Sequence, residues 1–203
     1  EINNLVFYAM GKVSQATDVP GSPFVEPEFR EAYAEYNPEK ANEILDEMGF
    51  DKRNEEGFRL TPDGEVLRID IEFFEVNSDL VPTTELVADY WRQIGIDASM
   101  QIIDQGLWYQ RQGANKTRMS VWHTDGVRPG VPFFWFVPFT TPNWGPEWQE
   151  WYVSGGEGGE EPPKEVKELF DHYETIIRTT DNQERIEAGK EILESQAENL
   201  WVI

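Results

Sequence analysis

The sequence predicts an α/β fold with a mostly parallel central sheet flanked by helices, and three observations carry that prediction. Between Val66 and Trp122, strand-like alternation and helix-like periodicity follow one another as strand, helix, strand, helix, strand within roughly 60 residues. The helical segments are punctuated by capping residues and glycine stops, such as Asn37-Pro38 before one helix and Gly49 after it. Where the third strand ends, an irregular stretch from Ser120 to Tyr152 carries five of the chain's eight tryptophans and four of its twelve phenylalanines. Its prolines and glycines exclude a long helix or a regular sheet, and its large aromatics exclude a solvated linker.

In chain order, Ile2 to Met10 reads as a short helix closed by Gly11. Lys12 to Pro27, with three prolines and Gly21, reads as an ordered loop or surface arm, and Glu28 to Tyr36 as a helical turn or two. Asn37 then caps a helix with Ala41, Ile44, Leu45 and Met48 on one face and Gly49 at its end. Asp51 to Gly64 is polar, with turns at Glu56-Gly57 and Pro62-Asp63-Gly64. Its acids do not make a calcium loop, because Arg53 and Glu55 occupy the third and fifth ligand positions and Glu56 the glycine position.

Val66 to Phe74 alternates apolar and polar residues as a strand. Pro82 to Ile94 is a helix with Leu86, Val87, Tyr90, Trp91 and Ile94 on its stripe and Gly95 as the stop. Ile96 to Ile103 is the second strand, and Asp104 caps a short helix through Gln112 that carries Leu107 and Trp108. Met119 to Trp122 is the third strand. Successive strands joined by helices pair in parallel through right-handed crossovers, and such sheets bind ligands outside their carboxyl ends. Ser154 to Pro163 reads as a flexible connector; it lacks the Lys-Ser/Thr of a phosphate loop, and Glu161 stands where a dinucleotide fingerprint needs its last glycine. Two helices close the chain. Lys164 to Arg178 buries Val166, Leu169, Phe170, Tyr173 and Ile177, and Asp181 with Glu184 forms a capping box before a helix carrying Ile186, Ile192, Leu193 and Leu200. The opening EINNLVFYAM resembles the back half of an amphipathic helix, and Leu200 to Ile203 a strand just starting, so the sequence reads as part of a longer polypeptide.

Composition narrows the function. A net charge of −22 disfavours nucleic acid and anionic membranes, both of which need clustered Lys and Arg, so no nucleic-acid partner is expected. With no cysteine, disulfides, iron–sulfur clusters, thiol nucleophiles and cysteine zinc sites are excluded together. No apolar run approaches the roughly 18–20 residues of a membrane span. The catalytic inventory is thin. His123 and His172 belong to no HExxH or HxH pattern, no serine lies in a GxSxG elbow, and His172 reads as a surface residue of its helix. No cofactor or metal is expected. A carbohydrate-active enzyme would need two carboxylates converging in one cleft, which sequence alone does not place.

Binding is better supported. Trp122, Trp135, Trp144, Trp148 and Trp151 supply flat apolar faces for sugar rings or peptide side chains, or else core. Trp148 and Trp151 are three apart and share a side if that segment turns as a helix. Asp125, three residues beyond Trp122, can pair with a ligand ammonium, accept hydroxyl donors, or form an Asx turn.

The order YNPEKANEILDEMGF, then a GF-x-L-x-x-DG-x-x-L loop, then LVADYWRQIGID resembles family 5 of the extracellular solute-binding proteins of ABC importers, most specifically from Tyr36 to Pro129. That resemblance implies a type II periplasmic-binding-protein lobe. The 203 residues would form a single α/β lobe, with 120–152 as its aromatic cleft-lining segment, and the first lobe of the same polypeptide would be missing. It implies capture of a peptide, or alternatively an oligosaccharide, by lobe closure and without chemistry, for ABC permease subunits in the membrane. The setting would be periplasmic or cell-surface, compatible with a lipid anchor on the longer protein. In peptide-binding relatives a W-x-x-D-x-x-x-P pattern supplies an aspartate for the ligand's α-amino group, and here it runs from Trp122 to Pro129 with Asp125 in that place. Relatives often have Asp before the proline, where this chain has Arg128, a guanidinium able to accept a ligand carboxylate or to neutralise Asp125. The expected ligand-binding residues are Asp125, Trp122, His123, Thr124 and Arg128 from the turn, with Trp135, Asn143, Trp144 and Trp148 from the aromatic wall.

Overall fold

The structure is a computed structural model that describes residues 1–122, 135–139 and 144–203. Its elements begin with α1 (Ile2–Leu5), α2 (Pro27–Glu31), α3 (Pro38–Glu47), β1 (Arg68–Phe73), α4 (Leu80–Gln93) and β2 (Asp97–Ile102). They continue with α5 (Gln105–Gly113), β3 (Met119–Ser120), α6 (Pro146–Ser154), α7 (Lys164–Arg178) and α8 (Asn182–Asn199). The described residues divide into two compact units. One comprises Glu1–Lys12, Tyr36–Arg111 and residues 116–122; the other comprises Val13–Glu35, Gln112–Asn115 and residues 135–139 and 144–203.

The first unit is organised on a three-stranded parallel sheet in the order β2-β1-β3. Its pairing sets Arg68 against Asp97 and Phe73 against Ile102, and Ile71 against Met119 on the other edge. Alternation along β1 then separates two faces. Ile71 and Phe73 are fully buried in a core with Leu80 and Ala88 of α4 and with Ile96 and Ala98. Arg68, Asp70 and Glu72 take the opposite face, where Arg68 pairs with Asp97 and the Ser99 hydroxyl donates to Asp70 at 2.6 Å. This is why the strand reads as alternating rather than as the continuous apolar run of a doubly covered sheet.

The helix starting at Pro38 follows its sequence signals. The Asn37 side chain accepts the Lys40 N–H at 3.0 Å, a cap worth about 1 kcal/mol, and Gly49 at φ +90° ends it. Arg59, only 1% exposed, ties this helix to the turn before β2. Its guanidinium donates to Asp46, to the Asn42 side chain at 2.6 Å, to the Phe50 carbonyl at 2.6 Å and to the Ile94 carbonyl at 2.8 Å. A buried cation is tolerated here because its donors are satisfied.

The second unit is helical. Val166, Leu169, Phe170 and Ile176 of α7 meet Ala188, Ile192 and Leu193 of α8, with Phe136, Val137 and Phe139 completing the core. Tyr152 of α6 stacks on Phe170, their centroids 4.2 Å apart, and donates a hydrogen bond to Glu174. Burial first, and then the Glu174 carboxylate, push the Tyr152 phenol well above the ordinary tyrosine value.

Several local expectations are corrected. The first helix stops at Leu5 because the Asn3 side chain bonds both the N–H and the C=O of Gly11, each at 2.8 Å, drawing the chain into a turn. On α4 the deepest residues are Leu80, Thr84 and Ala88 rather than the bulkier stripe, and Thr84 satisfies its hydroxyl on the Leu80 carbonyl at 2.7 Å. Ile176 is buried in α7 while Ile177 is 55% exposed. Asp181 caps α8 by accepting the Gln183 and Glu184 N–H groups, but Glu184 accepts from the Thr179 hydroxyl instead of closing the box. Leu200 is the left-handed C-cap of α8, and the residues after it form no strand. The buried Gln196 amide holds them instead, accepting the Val202 N–H and donating to its carbonyl at 2.6 Å. The glycine-rich stretch after α6 is folded back on that helix: the Glu160 N–H reaches the Glu147 carbonyl and the Gly158 N–H reaches Ser154. A Cβ at Gly159 would lie 2.2 Å from the Glu147 oxygen, so glycine there permits close approach rather than flexibility.

Candidate functional site: an aromatic cluster at the strand ends

The carboxyl ends of β1 and β3 carry the side chains that converge in the first unit. Phe74 follows β1 directly and Trp122 follows β3, while α5 brings Trp108 and Tyr109. Phe74 continues the parity of Glu72, which sends it to the sheet face on which α5 lies. Trp108 is 5% exposed and stacks on Trp122 with centroids 5.2 Å apart and planes inclined by 27°. Phe74 sets edge contacts to both rings, at 5.3 Å from Trp108 and 4.8 Å from Trp122. Tyr109 meets Trp108 edge-on at 4.9 Å and lies 6.2 Å from Phe74. These are the offset and T-shaped geometries that the aromatic quadrupole favours.

Three anchors fix α5. Asp104 accepts the Gly106 and Leu107 N–H groups at 2.8 and 3.2 Å. The Trp108 indole N–H donates to the Ser120 hydroxyl at 2.7 Å, joining the helix to β3. Arg111 forks onto Glu72 with both contacts at 2.7 Å, and the Thr117 hydroxyl adds a third at 3.3 Å. The hydrogen bond to Glu72 pushes the Arg111 ionisation up, and the buried carboxylate is satisfied by its neighbours. The cluster is therefore a rigid apolar surface, suited to holding a ring or an aliphatic side chain.

Of the residues expected at the site, Trp122 belongs to this cluster. Trp135, Trp144 and Trp148 come together in the second unit, where all three are half-buried and pack against the core. The Trp144 indole donates to the Trp135 carbonyl at 2.9 Å, stacks on Trp201 with planes 9° apart and meets Trp148 edge-on. Trp148 and Trp151 do share the helical segment α6, yet Trp151 is set apart, with the Lys167 ammonium 5.3 Å from its ring centroid. His123, Thr124, Asp125, Arg128 and Asn143 lie outside the described residues. Phe74, Trp108 and Tyr109 were not among the expected site residues. The signal that points to them is topological: each follows the end of a parallel strand, directly or through the short helix after it. Among the described residues, no cluster of three or more His, Cys, Asp or Glu side chains is placed to hold a metal ion.

Comparison with known proteins resolves what carries this arrangement. The family profile described as "Bacterial extracellular solute-binding proteins, family 5 Middle" matches residues 1–146. The chain belongs to family 5 of the bacterial extracellular solute-binding proteins. Among curated proteins, none matches the sequence significantly. Among solved structures, the oligopeptide-binding protein OppA is 32% identical, with a TM-score of 0.87 over 98% of this chain and 34% of its own. NikA from Brucella suis, solved in complex with Fe(III)-EDTA, is 20% identical with a TM-score of 0.73, over 98% of this chain and 37% of its own. The periplasmic binding protein MelB from Agrobacterium fabrum, solved with stachyose, is 16% identical with a TM-score of 0.76, over all of this chain and 32% of its own. The two lower identities establish the fold alone. The α/β architecture, a small parallel sheet flanked by helices, is that of a periplasmic-binding-protein lobe. This chain spans about a third of the length of these solved proteins. Among the described residues no helix is long and apolar enough to cross a membrane.

Proposed function

We propose that this chain supplies a ligand-facing lobe of the substrate-binding component of an ABC importer, that its ligand is a peptide, and that capture proceeds by lobe closure without chemistry. The observation that carries the peptide reading is the 32% identity to the oligopeptide-binding protein OppA across 98% of this chain. The aromatic cluster supports it, because a rigid apolar surface at the ends of parallel strands suits side chains of varied sequence. In this reading the protein works outside the cytoplasm and delivers its ligand to permease subunits, with another lobe of the same polypeptide closing over the peptide and excluding water.

Trp122 then lines the ligand, and Asp125 pairs with its α-amino group. His123, Thr124 and Arg128 complete the turn, and Trp135, Asn143, Trp144 and Trp148 contribute the wall. Calorimetry with a free-amine tripeptide and its N-acetylated form tests the proposal. The free-amine peptide binds, and Asp125→Ala weakens it by roughly tenfold or more, the order expected when one partner of a desolvated charge pair is removed. The acetylated peptide is insensitive to the change. Equal behaviour of the two peptides in both proteins removes the amine-pairing role. The second reading is an oligosaccharide ligand, favoured by the five tryptophans between Ser120 and Tyr152, since such rings also stack on sugars.

A further inference from the structure

The cluster has a floor and a projecting edge. Phe74 and Trp108 are buried, at 8% and 5% exposure, and act through what they support. Tyr109 is 47% exposed although two of those rings hold it. Its hydroxyl has no hydrogen-bond partner among the described residues. A large ring left half in water while its helix is fixed by a cap, an indole hydrogen bond and a bidentate ion pair is a pre-organised contact surface. Little further ordering is needed when a ligand covers it.

We propose that Tyr109 is a specificity-determining residue that contacts one apolar side chain of the bound peptide and favours a ring there; this rests on the peptide reading above. The chemistry follows from the geometry. The edge-on approach to Trp108 leaves nearly half of the tyrosine exposed, and the two rings it meets, Phe74 and Trp108, are apolar. An aromatic side chain gains contact area and ring geometry at this point, whereas a methyl gains little. The ring does the recognising, since the hydroxyl anchors nothing among the described residues. The fork from Arg111 to Glu72 and the bond from Trp108 to Ser120 are positioning contacts that hold Tyr109 in place.

The test is calorimetry of the protein with Ala-Ala-Ala and with Phe-Ala-Ala, Ala-Phe-Ala and Ala-Ala-Phe. One of the three phenylalanine peptides binds tighter than trialanine. Tyr109→Ala lowers that preference by about tenfold, as loss of an aromatic contact does, and leaves trialanine affinity within about twofold. Tyr109→Phe keeps the preference. A general weakening of all four peptides by Tyr109→Ala, with the ratio unchanged, would show a merely structural role and overturn the inference. So would an unchanged ratio at unchanged affinity. If none of the four peptides binds the unmutated protein, the peptide reading fails and takes this inference with it, an outcome distinct from a preference that survives the substitution.

Discussion

Replacing Trp108 is the sharpest probe of the strand-end cluster, because that one indole does three things. It fills space at 5% exposure, it stacks on Trp122 and meets Phe74 and Tyr109 edge-on, and it hydrogen-bonds Ser120. Truncation to alanine removes the ring and leaves a cavity beneath Phe74 and Trp122, a change that costs about 3–5 kcal/mol for buried Phe or Trp. Phenylalanine keeps a ring but drops the N–H donor, so Trp108→Phe costs about 1–2 kcal/mol, combining a net hydrogen bond with a smaller loss of area. The two terms separate in a double-mutant cycle with Ser120→Ala, for which a coupling near 1 kcal/mol is expected. Urea unfolding followed by far-ultraviolet circular dichroism reads the unmutated protein and all four variants without depending on tryptophan emission. A cost below about 1 kcal/mol for Trp108→Ala would mean that the cluster is not the packed support described here, against the cost of emptying a core site. A vanishing coupling would remove the bond to Ser120 as an anchor of α5.

Other substitutions address the scaffold. Gly95 sits at φ +93°, and a Cβ there would lie 2.1 Å from the Arg53 guanidinium and 3.0 Å from Arg59 Cγ. Gly95→Ala therefore destabilises by about 2–4 kcal/mol in urea, and part of the loss is recovered when Arg53→Ala clears the exposed neighbour; a change within about 0.5 kcal/mol would refute the strain. Arg111→Ala leaves the buried Glu72 carboxylate with the Thr117 hydroxyl alone, so the urea midpoint falls at neutral pH. Adding Glu72→Gln, which discharges the orphaned group, restores part of it, and a further fall would contradict the pairing. Tyr152 holds its proton above the ordinary tyrosine value of 10.0, first through burial and then through Glu174. A raised folded value gives stability that is complete below pH 10 and is lost as pH rises beyond it, where the unfolded chain ionises first. Tyr152→Phe cannot ionise and shows a shallower alkaline loss in a urea-midpoint series; identical slopes would argue against the shift.

The parts of the fold that were legible in the sequence are the ones decided locally. Asn37, Pro38 and Gly49 announce the third helix because a cap, a fixed φ and a left-handed stop each act within one turn. The strand-helix-strand order announced a parallel sheet, as the register of Arg68 with Asp97 bears out. Contacts across the chain were not legible. Glu72 and Arg111 are 39 positions apart, and nothing in either neighbourhood names the other. Trp108 was visible as a helix residue and Phe74 as the end of a strand, but their meeting required the sheet. The tryptophans divided by unit in a way that composition does not encode, since Trp135, Trp144 and Trp148 lean on the α7 and α8 core while Trp122 stacks on Trp108. Glycine misled between Gly155 and Gly159, because the missing side chain that permits flexibility also permits the close packing found there.

The claim that organises these observations is that a family 5 binding lobe presents its rigid aromatic cluster to a peptide. Titration calorimetry of the protein with the alanine and phenylalanine tripeptides, set beside maltotriose at the same concentrations, tests it most directly. The account predicts saturable heat with at least one tripeptide and none with the sugar. Saturable binding of maltotriose, with no heat from any tripeptide, would contradict it and assign the aromatic surface to carbohydrate.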